Sequence, residues 1–426
     1  MEQNLYREYL SILQRELIPA LGCTEPIAIA YAAAVARQEL GVFPERMELR
    51  CSGNIIKNVK GVTVPNSGGM KGLAAAAILG VVGGDANREL EVLEGVTDAD
   101  RQRTRELVAQ DYCTCTLQED VANLYISARV FHGDHWVEVV IINRHTNIAR
   151  VVRDGEVLHD SGVGGAQPGR EASSPLTLKG ILEFAEEARM EDVEPILAQQ
   201  VAMNSAIADE GLDKPYGAQV GRTLLKVYGD NVETRARARA AAGSDARMSG
   251  CPMPVVINSG SGNQGIAVSM PIVEYAKELG VDREKLYRAL LVGNLCAIHQ
   301  KKFIGSLSAY CGAVSAGCGA GAGIAWLHGG DYATVGRTIV NTLANVAGMV
   351  CDGAKPSCAA KIASAVEAAI LAWHLSRDGH TFQAGEGIVR ENVEETIRSV
   401  GYVGRVGMKI TDLEILEIML DHVKLD

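Results

Sequence analysis

The alternation of hydrophobic and polar residues divides the chain into two unlike regions. From Met1 to about Glu39 the apolar positions recur at helical spacing, interrupted at Leu-Gly-Cys-Thr-Glu-Pro, residues 21–26. Between Met47 and Asp160, short apolar runs separated by tight turn signals predict strands. The runs that indicate strands most clearly are residues 113–117, 123–131, 136–143 and 148–152. We interpret this stretch as an antiparallel sheet flanked by helices.

Beyond a Gly/Ser/Pro-rich segment at residues 161–174, nearly everything is Ala-rich and helically periodic. The pattern therefore predicts an α+β fold with two domains. Residues 1–165 would form an N-terminal α/β domain with a mostly antiparallel sheet, carrying Cys23 and a first glycine-rich turn, and residues 166–426 a larger all-α domain. Because the chain has 46 glycines and only 5% aromatic residues, we expect helices that approach closely through small side chains.

Composition narrows the class of protein. The 426 residues are 47% hydrophobic, enough for sizeable cores, and carry a net charge of −11 without a long Lys/Arg run, which argues against nucleic acid or an anionic membrane as a partner. The polar start lacks a secretory signal and no charge-free stretch has the length of a membrane span, so we expect a cytoplasmic protein acting on a small molecule. A homo-oligomer is compatible with the sequence. The ten cysteines favour reduced thiols over a disulfide framework.

The thiol-rich segments are the strongest chemical signal. Cys351-Asp-Gly-Ala-Lys-Pro-Ser-Cys358 sets two thiols seven residues apart around a Gly/Pro turn that opens an Ala-rich helix, and Cys311 and Cys318 repeat that separation. A helix N-terminus favours a thiolate, so we expect Cys358 to be ionised and able to ligate a metal or cluster. Buried cysteines acting as small apolar side chains would fit the same spacing.

Cys23 lies in Gly22-Cys-Thr-Glu-Pro, where Thr24 can cap a helix and Pro26 fits its first turn. A thiol just outside a positive helix end should have a lowered pKa, which would suit a catalytic base or nucleophile. A thiol that merely packs at the helix entrance is the alternative.

Two glycine-rich turns have similar sequences: Asn66-Ser-Gly-Gly-Met-Lys-Gly and Asn258-Ser-Gly-Ser-Gly-Asn-Gln-Gly. Neither matches a nucleotide-binding pattern, so we favour a small carboxylate as their ligand, held by backbone N–H groups. Helix starts that need permissive backbone would give the same pattern. Residues assigned to substrate binding are Asn66, Ser67, Gly68, Gly69, Lys71, Asn258, Ser259 and Gly260.

Single charged residues and histidines carry less information. Lys71 and Lys355 are more often solvated surface charges than functional groups. His145 and His299 fit either a functional role or a satisfied structural one, and the structural role is favoured.

Taken together, the Cys-Thr-Glu-Pro motif, both glycine-rich turns and the 351–358 motif resemble the L-cysteine desulfidase family, relatives of the alpha chain of iron-sulfur L-serine dehydratase. The resemblance spans nearly the whole chain. In that family three cysteines hold a four-iron four-sulfur cluster, two in the Cys-Asp-Gly-Ala-Lys motif and one about 40 residues earlier. The count here is 351 − 311 = 40. The resemblance therefore implies Cys311, Cys351 and Cys358 as cluster ligands and Cys23 as the catalytic base.

The activity implied by the resemblance is β-elimination of L-cysteine to hydrogen sulfide, ammonia and pyruvate, without pyridoxal phosphate. Three protein ligands would leave one iron of the 4Fe-4S cluster open as a Lewis acid. Some dehydratase relatives cover that iron with a C-terminal cysteine, whereas this chain ends His-Val-Lys-Leu-Asp. Two alternatives stay open: L-serine dehydration at the same site, and a non-enzymatic protein whose Cys311, Cys318, Cys351 and Cys358 close a structural zinc or cluster site.

Overall fold

The computed structural model of the chain describes residues 1–162, 174–305 and 307–423. Its α-helices are Gln3–Glu16 (α1), Thr24–Leu40 (α2), Gly53–Lys60 (α3), Leu73–Gly83 (α4), Asp98–Ala109 (α5), Leu178–Glu187 (α6), Met190–Asp213 (α7), Val220–Tyr228 (α8), Val232–Met248 (α9), Gly262–Leu279 (α10), Arg283–Ile304 (α11), Gly312–Leu327 (α12), Tyr332–Val346 (α13), Cys358–Arg377 (α14), Val393–Tyr402 (α15) and Lys409–Met419 (α16). A 3₁₀ segment spans Ala86–Glu91 and a π-helical turn spans Val403–Gly407.

The strands are Pro19–Leu21 (β1), Arg46–Cys51 (β2), Cys113–Leu117 (β3), Tyr125–His132 (β4), His135–Ile142 (β5), Ile148–Arg153 (β6), Glu156–Asp160 (β7) and Pro254–Val256 (β8). Six of them form one sheet in the order β3-β2-β4-β5-β6-β7. Only the β2–β3 pair is parallel, so the sheet is mostly antiparallel, as predicted. With the helical region that follows, this arrangement confirms the α+β fold.

Helix α2 covers the inner face of this sheet. Alternate residues of β4, namely Ile126, Ala128 and Val130, are fully buried, as period-2 alternation requires. The helix itself is apolar nearly all round and is buried on almost every side, between the sheet and α4. The N-terminus of α2 is thereby held inside the protein, and Cys23 precedes it.

The helical region is centred on α12, which contacts α10, α11, α13 and α14. Small residues make this packing tight. A Cβ atom on Gly319 would lie 2.4 Å from the carbonyl oxygen of Gly293 on α11, so the two backbones touch only because both positions are glycine. The close approach of helices through small side chains, expected from composition, is present here.

A second, two-stranded sheet joins the beginning of the chain to its middle. Strand β1 pairs antiparallel with β8, with Pro19 opposite Val256 and Leu21 opposite Pro254. Just beyond these strands, the Thr24 hydroxyl donates to the carbonyl oxygen of Gly260 at 2.9 Å. The predicted domain boundary near residue 165 falls outside the described residues, and the division into two domains stays a prediction.

Among the described residues, one helix, α14, is long and apolar enough to cross a membrane by length and composition. In the structure 56% of its most apolar window is buried inside the protein.

Candidate active site

Four cysteines far apart in sequence line a single cavity. Cys23 contributes from the N-terminal region, and Cys311, Cys351 and Cys358 contribute from the helical region. We call the latter three residues the thiol end of the cavity. The structure thus brings together all four of the thiols to which the family resemblance assigns a role.

Helix starts explain why these thiols meet. Cys23 is the N-cap of α2, Cys311 is the N-cap of α12, and Cys358 is the first residue of α14. Helix α10 also begins at the cavity, after its N-cap Ser261. Four helix N-termini therefore point their free N–H groups and partial positive charge toward one space, which favours negatively charged occupants. The N-cap of α2 is Cys23 and not Thr24, which corrects the capping assignment made from sequence.

A short antiparallel bridge sets Cys311 beside Cys351. The bridge pairs Tyr310 with Val350. On either side of this pair, the Cys311 N–H donates to Met349 O at 3.1 Å and the Cys351 N–H donates to Ala309 O at 2.6 Å. Because alternate residues face the same side of a bridge, the two cysteines are diagonal neighbours on one face.

The charge state of the thiol end is set by contacts between its sulfurs and by nearby cations. The Cys311 thiol donates a hydrogen bond to Cys351, and this bond, together with the Lys57 and Lys301 ammonium groups, lowers the pKa of Cys351 to about 6. The same bond and burial raise the pKa of Cys311 well above its usual value. The pair therefore shares one proton between two sulfurs.

Cys358 differs from the prediction. Burial raises the pKa of its thiol, and this outweighs the favourable position at the start of α14. The expectation that Cys358 is a thiolate from its helix position alone is wrong for the protein without a bound metal.

The donor set at the thiol end fits an iron-sulfur cluster in chemistry. It offers soft sulfur ligands, and two buried cations, Lys57 and Lys301, lie close enough to act electrostatically on Cys351. Among the described residues, no three His, Cys, Asp or Glu side chains close around a single metal ion.

Cys318 lies outside this arrangement. It follows Cys311 by seven residues on α12, which places it roughly 10 Å farther along the helix axis. Its sulfur lies 3.8 Å from the Ile339 carbonyl oxygen, it is fully buried, and it does not line the cavity. The closed site of Cys311, Cys318, Cys351 and Cys358 is therefore not formed.

The opposite side of the cavity contains an acid–base cluster. The Cys23 thiol donates to Glu25 Oε2 at 3.1 Å, and Asn58 Nδ2 donates to Glu25 Oε1 at 3.1 Å. His145 Nε2 lies 3.9 Å from Glu25 Oε1 and has no other partner among the described residues. We call Cys23, Glu25 and His145 the acid–base end. Its three side chains can hold and pass a proton.

Electrostatics at the acid–base end reverse the expectation for Cys23. Burial and the neighbouring Glu25 carboxylate raise the pKa of the Cys23 thiol well above its usual value, although Arg247 opposes them. Burial also acts to raise the pKa of Glu25, but hydrogen bonding and charge from His145, with the bond from Cys23, lower it to about 2. The predicted lowering of the Cys23 pKa is wrong, because burial and the neighbouring Glu25 carboxylate outweigh the helix end.

The second glycine-rich turn reaches the cavity. Ser259 and Gly260 line it, whereas Asn258 is fully buried beneath them. The Asn258 amide donates to Asn294 Oδ1 at 3.0 Å, and Asn294 in turn donates to Gln200 Oε1 at 2.8 Å. Of the three residues assigned to substrate binding in this turn, two therefore face the cavity and one supports the turn from below.

The first glycine-rich turn has a different role. The Asn66 amide donates to Leu93 O at 2.8 Å, and Arg101 Nε donates to Asn66 O at 2.8 Å. Ser67 is buried and bonds Met70 O. None of Asn66, Ser67, Gly68, Gly69 and Lys71 lines the cavity, and the last three are exposed. The assignment of this turn to substrate binding is corrected: its contacts fold the turn against α5 and the segment before it.

Several functional candidates carry little sequence signal. Glu25 lies within the Cys-Thr-Glu-Pro motif, so its place in the motif was a usable clue. His145, for which a structural role is favoured by sequence, lines the cavity, as do Arg247 and Lys301. Arg247 and Lys301 lie inside helices α9 and α11 without a recognisable motif.

Two other candidates lie elsewhere. His299 Nε2 pairs with Glu394 at 2.7 Å, which is a structural contact between α11 and α15. The Lys355 ammonium bonds the carbonyl oxygen of Asp352 at 2.9 Å and pairs with its carboxylate, so it stabilises the turn before α14.

Comparison with known proteins now gives the family. The model of the serine dehydratase alpha chain matches residues 87–417. The chain belongs to the serine dehydratase alpha chain family. The matched part contains Cys311, Cys351 and Cys358, together with His145, whereas Cys23 and Glu25 precede it.

Relatives extend the likeness over the whole chain. A UPF0597 protein of Lachnoclostridium phytofermentans is 51% identical over 98% of this chain and all of that protein. A UPF0597 protein of Desulfitobacterium hafniense is 49% identical over 99% of this chain and 98% of its own length. A UPF0597 protein of Treponema denticola is 45% identical over 99% of both. The likeness to these relatives thus includes the N-terminal region with Cys23.

Proposed function

We propose that this protein is a lyase that eliminates the β-substituent of a small L-amino acid, with L-cysteine as its substrate and hydrogen sulfide, ammonia and pyruvate as products. The observation that carries the proposal is that one cavity contains both potential metal ligands and a group of acid–base side chains. Soft sulfur ligands occupy the thiol end, and a thiol, a carboxylate and an imidazole occupy the acid–base end. Membership of the serine dehydratase alpha chain family supports elimination as the reaction class.

In this proposal Cys311, Cys351 and Cys358 hold a 4Fe-4S cluster. When bound, that cluster supplies a Lewis acid with one iron free to polarise the substrate. Lys57 and Lys301, which already lower the pKa of Cys351, offset the negative charge that bound thiolates would bring. Lys57 is held in place by its ion pair with Asp412 and by a bond to Cys351 O.

The acid–base end performs the proton transfers. Cys23 removes the α-proton of the substrate, which requires that its own thiol proton first be taken up by another group. Glu25 accepts the Cys23 hydrogen bond and, with its pKa lowered to about 2, stays ionised and orients the thiol. The His145 imidazole, which lies beyond Glu25, is the group at this end that takes up the proton. The N–H groups around Ser259 and Gly260 orient the substrate carboxylate. Loss of the β-sulfur gives aminoacrylate, which tautomerises and is hydrolysed to pyruvate and ammonia.

L-Serine is the second candidate substrate, with water as the leaving group. Membership of the serine dehydratase alpha chain family favours it. The same residues would act in the same order, so the two substrates differ only in the atom that leaves the β-carbon.

Substrate assays on anaerobically purified protein test the proposal. We expect iron and acid-labile sulfide in the protein, and sulfide and pyruvate in equal amounts from L-cysteine at a higher kcat/KM than pyruvate from L-serine. A higher kcat/KM for L-serine would make the protein a dehydratase. Absence of pyruvate from both amino acids in an iron-loaded sample would refute elimination.

A further inference from the structure

Arg247 is a buried cation without a carboxylate partner. It lies near the C-terminal end of α9 and is 2% exposed. Its Nη1 donates to Asn263 Oδ1 at 3.1 Å, while its Nε is buried without a hydrogen-bond partner. Among the described residues, no Asp or Glu forms an ion pair with it. Burying an arginine in this way is costly unless something negatively charged accompanies it.

The guanidinium group lies against the start of α10. A Cβ atom on Gly262, the first residue of that helix, would lie 2.3 Å from Arg247 Nε, so the glycine leaves room for the side chain. Arg247, Ser261 and Asn263 all line the cavity. The 18-residue helix α10 therefore presents its free N–H groups to the same part of the cavity as the Arg247 guanidinium.

The other charges of the cavity are already matched. Lys301 interacts with Cys351 and Cys311, and therefore belongs to the thiol end. Glu25 interacts with His145. Arg247 acts on Cys23, whose thiol is the group that must reach the substrate α-carbon. Among the residues that the structure describes, Arg247 thus lies near Cys23 without a carboxylate counterion.

We propose that Arg247 binds the α-carboxylate of the substrate and makes the protein selective for α-amino acids over amines that lack the carboxylate. The planar guanidinium can accept a carboxylate side-on with two parallel hydrogen bonds, and the α10 N–H groups bind its second face. Because Arg247 acts electrostatically on Cys23, a carboxylate held there places the α-carbon in the part of the cavity that contains this thiol. The choice of an amino acid as ligand rests on the proposed function.

Binding of non-reacting ligands tests this role without turnover. L-Alanine has no leaving group, and ethylamine is the same molecule without the carboxylate. Calorimetric titration of the anaerobically purified full chain should detect L-alanine and give at least about 10²-fold weaker binding for ethylamine. Arg247→Met should weaken L-alanine binding by about 10²-fold and leave the affinity for ethylamine unchanged. Arg247→Lys should have an affinity for L-alanine between those of wild type and Arg247→Met, because lysine keeps the charge but cannot donate two parallel hydrogen bonds.

Arg237→Met is the matched control, since Arg237 lies on the same helix but pairs with Glu367 and does not line the cavity. It should bind L-alanine as wild type does. Equal affinity of wild type for L-alanine and ethylamine, or wild-type affinity in Arg247→Met, would overturn the role of Arg247. The wild-type comparison needs no variant, so it decides the matter even if Arg247→Met fails to fold.

Turnover separates this inference from the proposed function. If L-alanine binds through Arg247 but neither L-cysteine nor L-serine is eliminated, the carboxylate site stands and the lyase proposal falls. If elimination occurs with unchanged KM in Arg247→Met, the lyase proposal stands and the carboxylate site falls.

Discussion

The two ends of the cavity use the same residue type in opposite ways. At the thiol end, the pKa of Cys351 is lowered to about 6, whereas at the acid–base end the pKa of Cys23 is raised well above its usual value. Both thiols are buried. Cys351 has a donated hydrogen bond and the Lys57 and Lys301 cations beside it, whereas Cys23 has the Glu25 carboxylate. Neighbouring charges and hydrogen bonds, more than helix position, therefore decide which of these two buried sulfurs loses its proton more readily and which keeps it.

Removing a sulfur from the thiol end should have the largest effect. Cys351→Ser should lose most bound iron and essentially all elimination activity, because the hydroxyl replaces the sulfur with the lowest pKa of the three. Iron content, the visible absorption spectrum and pyruvate release measure this. Cys318→Ser is the control on the neighbouring helix, and it should retain most of both iron and activity, since its sulfur faces Ile339. Equal iron loss in Cys318→Ser would contradict the three-ligand arrangement.

Removing the sulfur at the acid–base end should lower turnover without changing the iron content. Cys23→Ala should keep its iron but lower turnover by roughly 10² to 10⁴, the contribution of a positioned general base. Exchange of the substrate α-proton with deuterium from solvent should slow in parallel. Loss of iron would instead make Cys23 a fourth ligand, and unchanged deuterium exchange would remove it as the base.

The dependence of stability on pH tests the lowered pKa of Glu25 at the acid–base end. Its pKa in the folded protein is about 2, below the usual glutamate value of 4.5. A lowered carboxyl pKa stabilises the fold above the unfolded value, so this contribution is present above about pH 4.5 and is lost as the pH falls toward 2. Wild type should therefore be more stable than Glu25→Gln at pH 6 by chemical denaturation, and the difference should shrink by pH 3. A difference independent of pH would contradict the lowered pKa.

The smallest effect is expected for a substitution that lies outside both ends of the cavity. Lys71→Ala, in the first glycine-rich turn, should leave the KM for L-cysteine unchanged and alter the free energy of unfolding by no more than about 0.5 kcal/mol, because Lys71 is exposed and does not line the cavity. A large rise in KM would restore this turn to substrate binding.

The sequence was sufficient for the features that depend on local pattern. The strands at residues 113–117 and 148–152 follow from alternation, and β3 and β6 have nearly those bounds. Family resemblance pointed to the four thiols that line the cavity, whereas spacing alone would have included Cys318, which does not line it. These features could be predicted because the residues involved lie close together in short motifs.

Features that depend on distant neighbours could not be predicted. The pKa of Cys23 depends on burial within the fold and on Arg247, which follows it in sequence by 247 − 23 = 224 residues, as well as on nearby Glu25. Arg247 in turn bonds Asn263, which lies on a different helix. The two glycine-rich turns have similar sequences, yet only the fold decides that Ser259 faces the cavity and Ser67 does not. Arg247 follows a run of alternating Arg and Ala on α9 that is typical of a solvated helix.

The short β1–β8 pairing governs when the cavity can exist during synthesis. The Thr24 hydroxyl meets the Gly260 carbonyl across 236 positions of sequence. At about 5 to 20 residues per second, the ribosome needs on the order of 10 to 50 s to deliver the second segment after the first. During that interval β1 has no partner strand and Cys23 lacks its neighbour Arg247, so the nascent chain carries an unfinished sheet edge and a thiol outside its final surroundings.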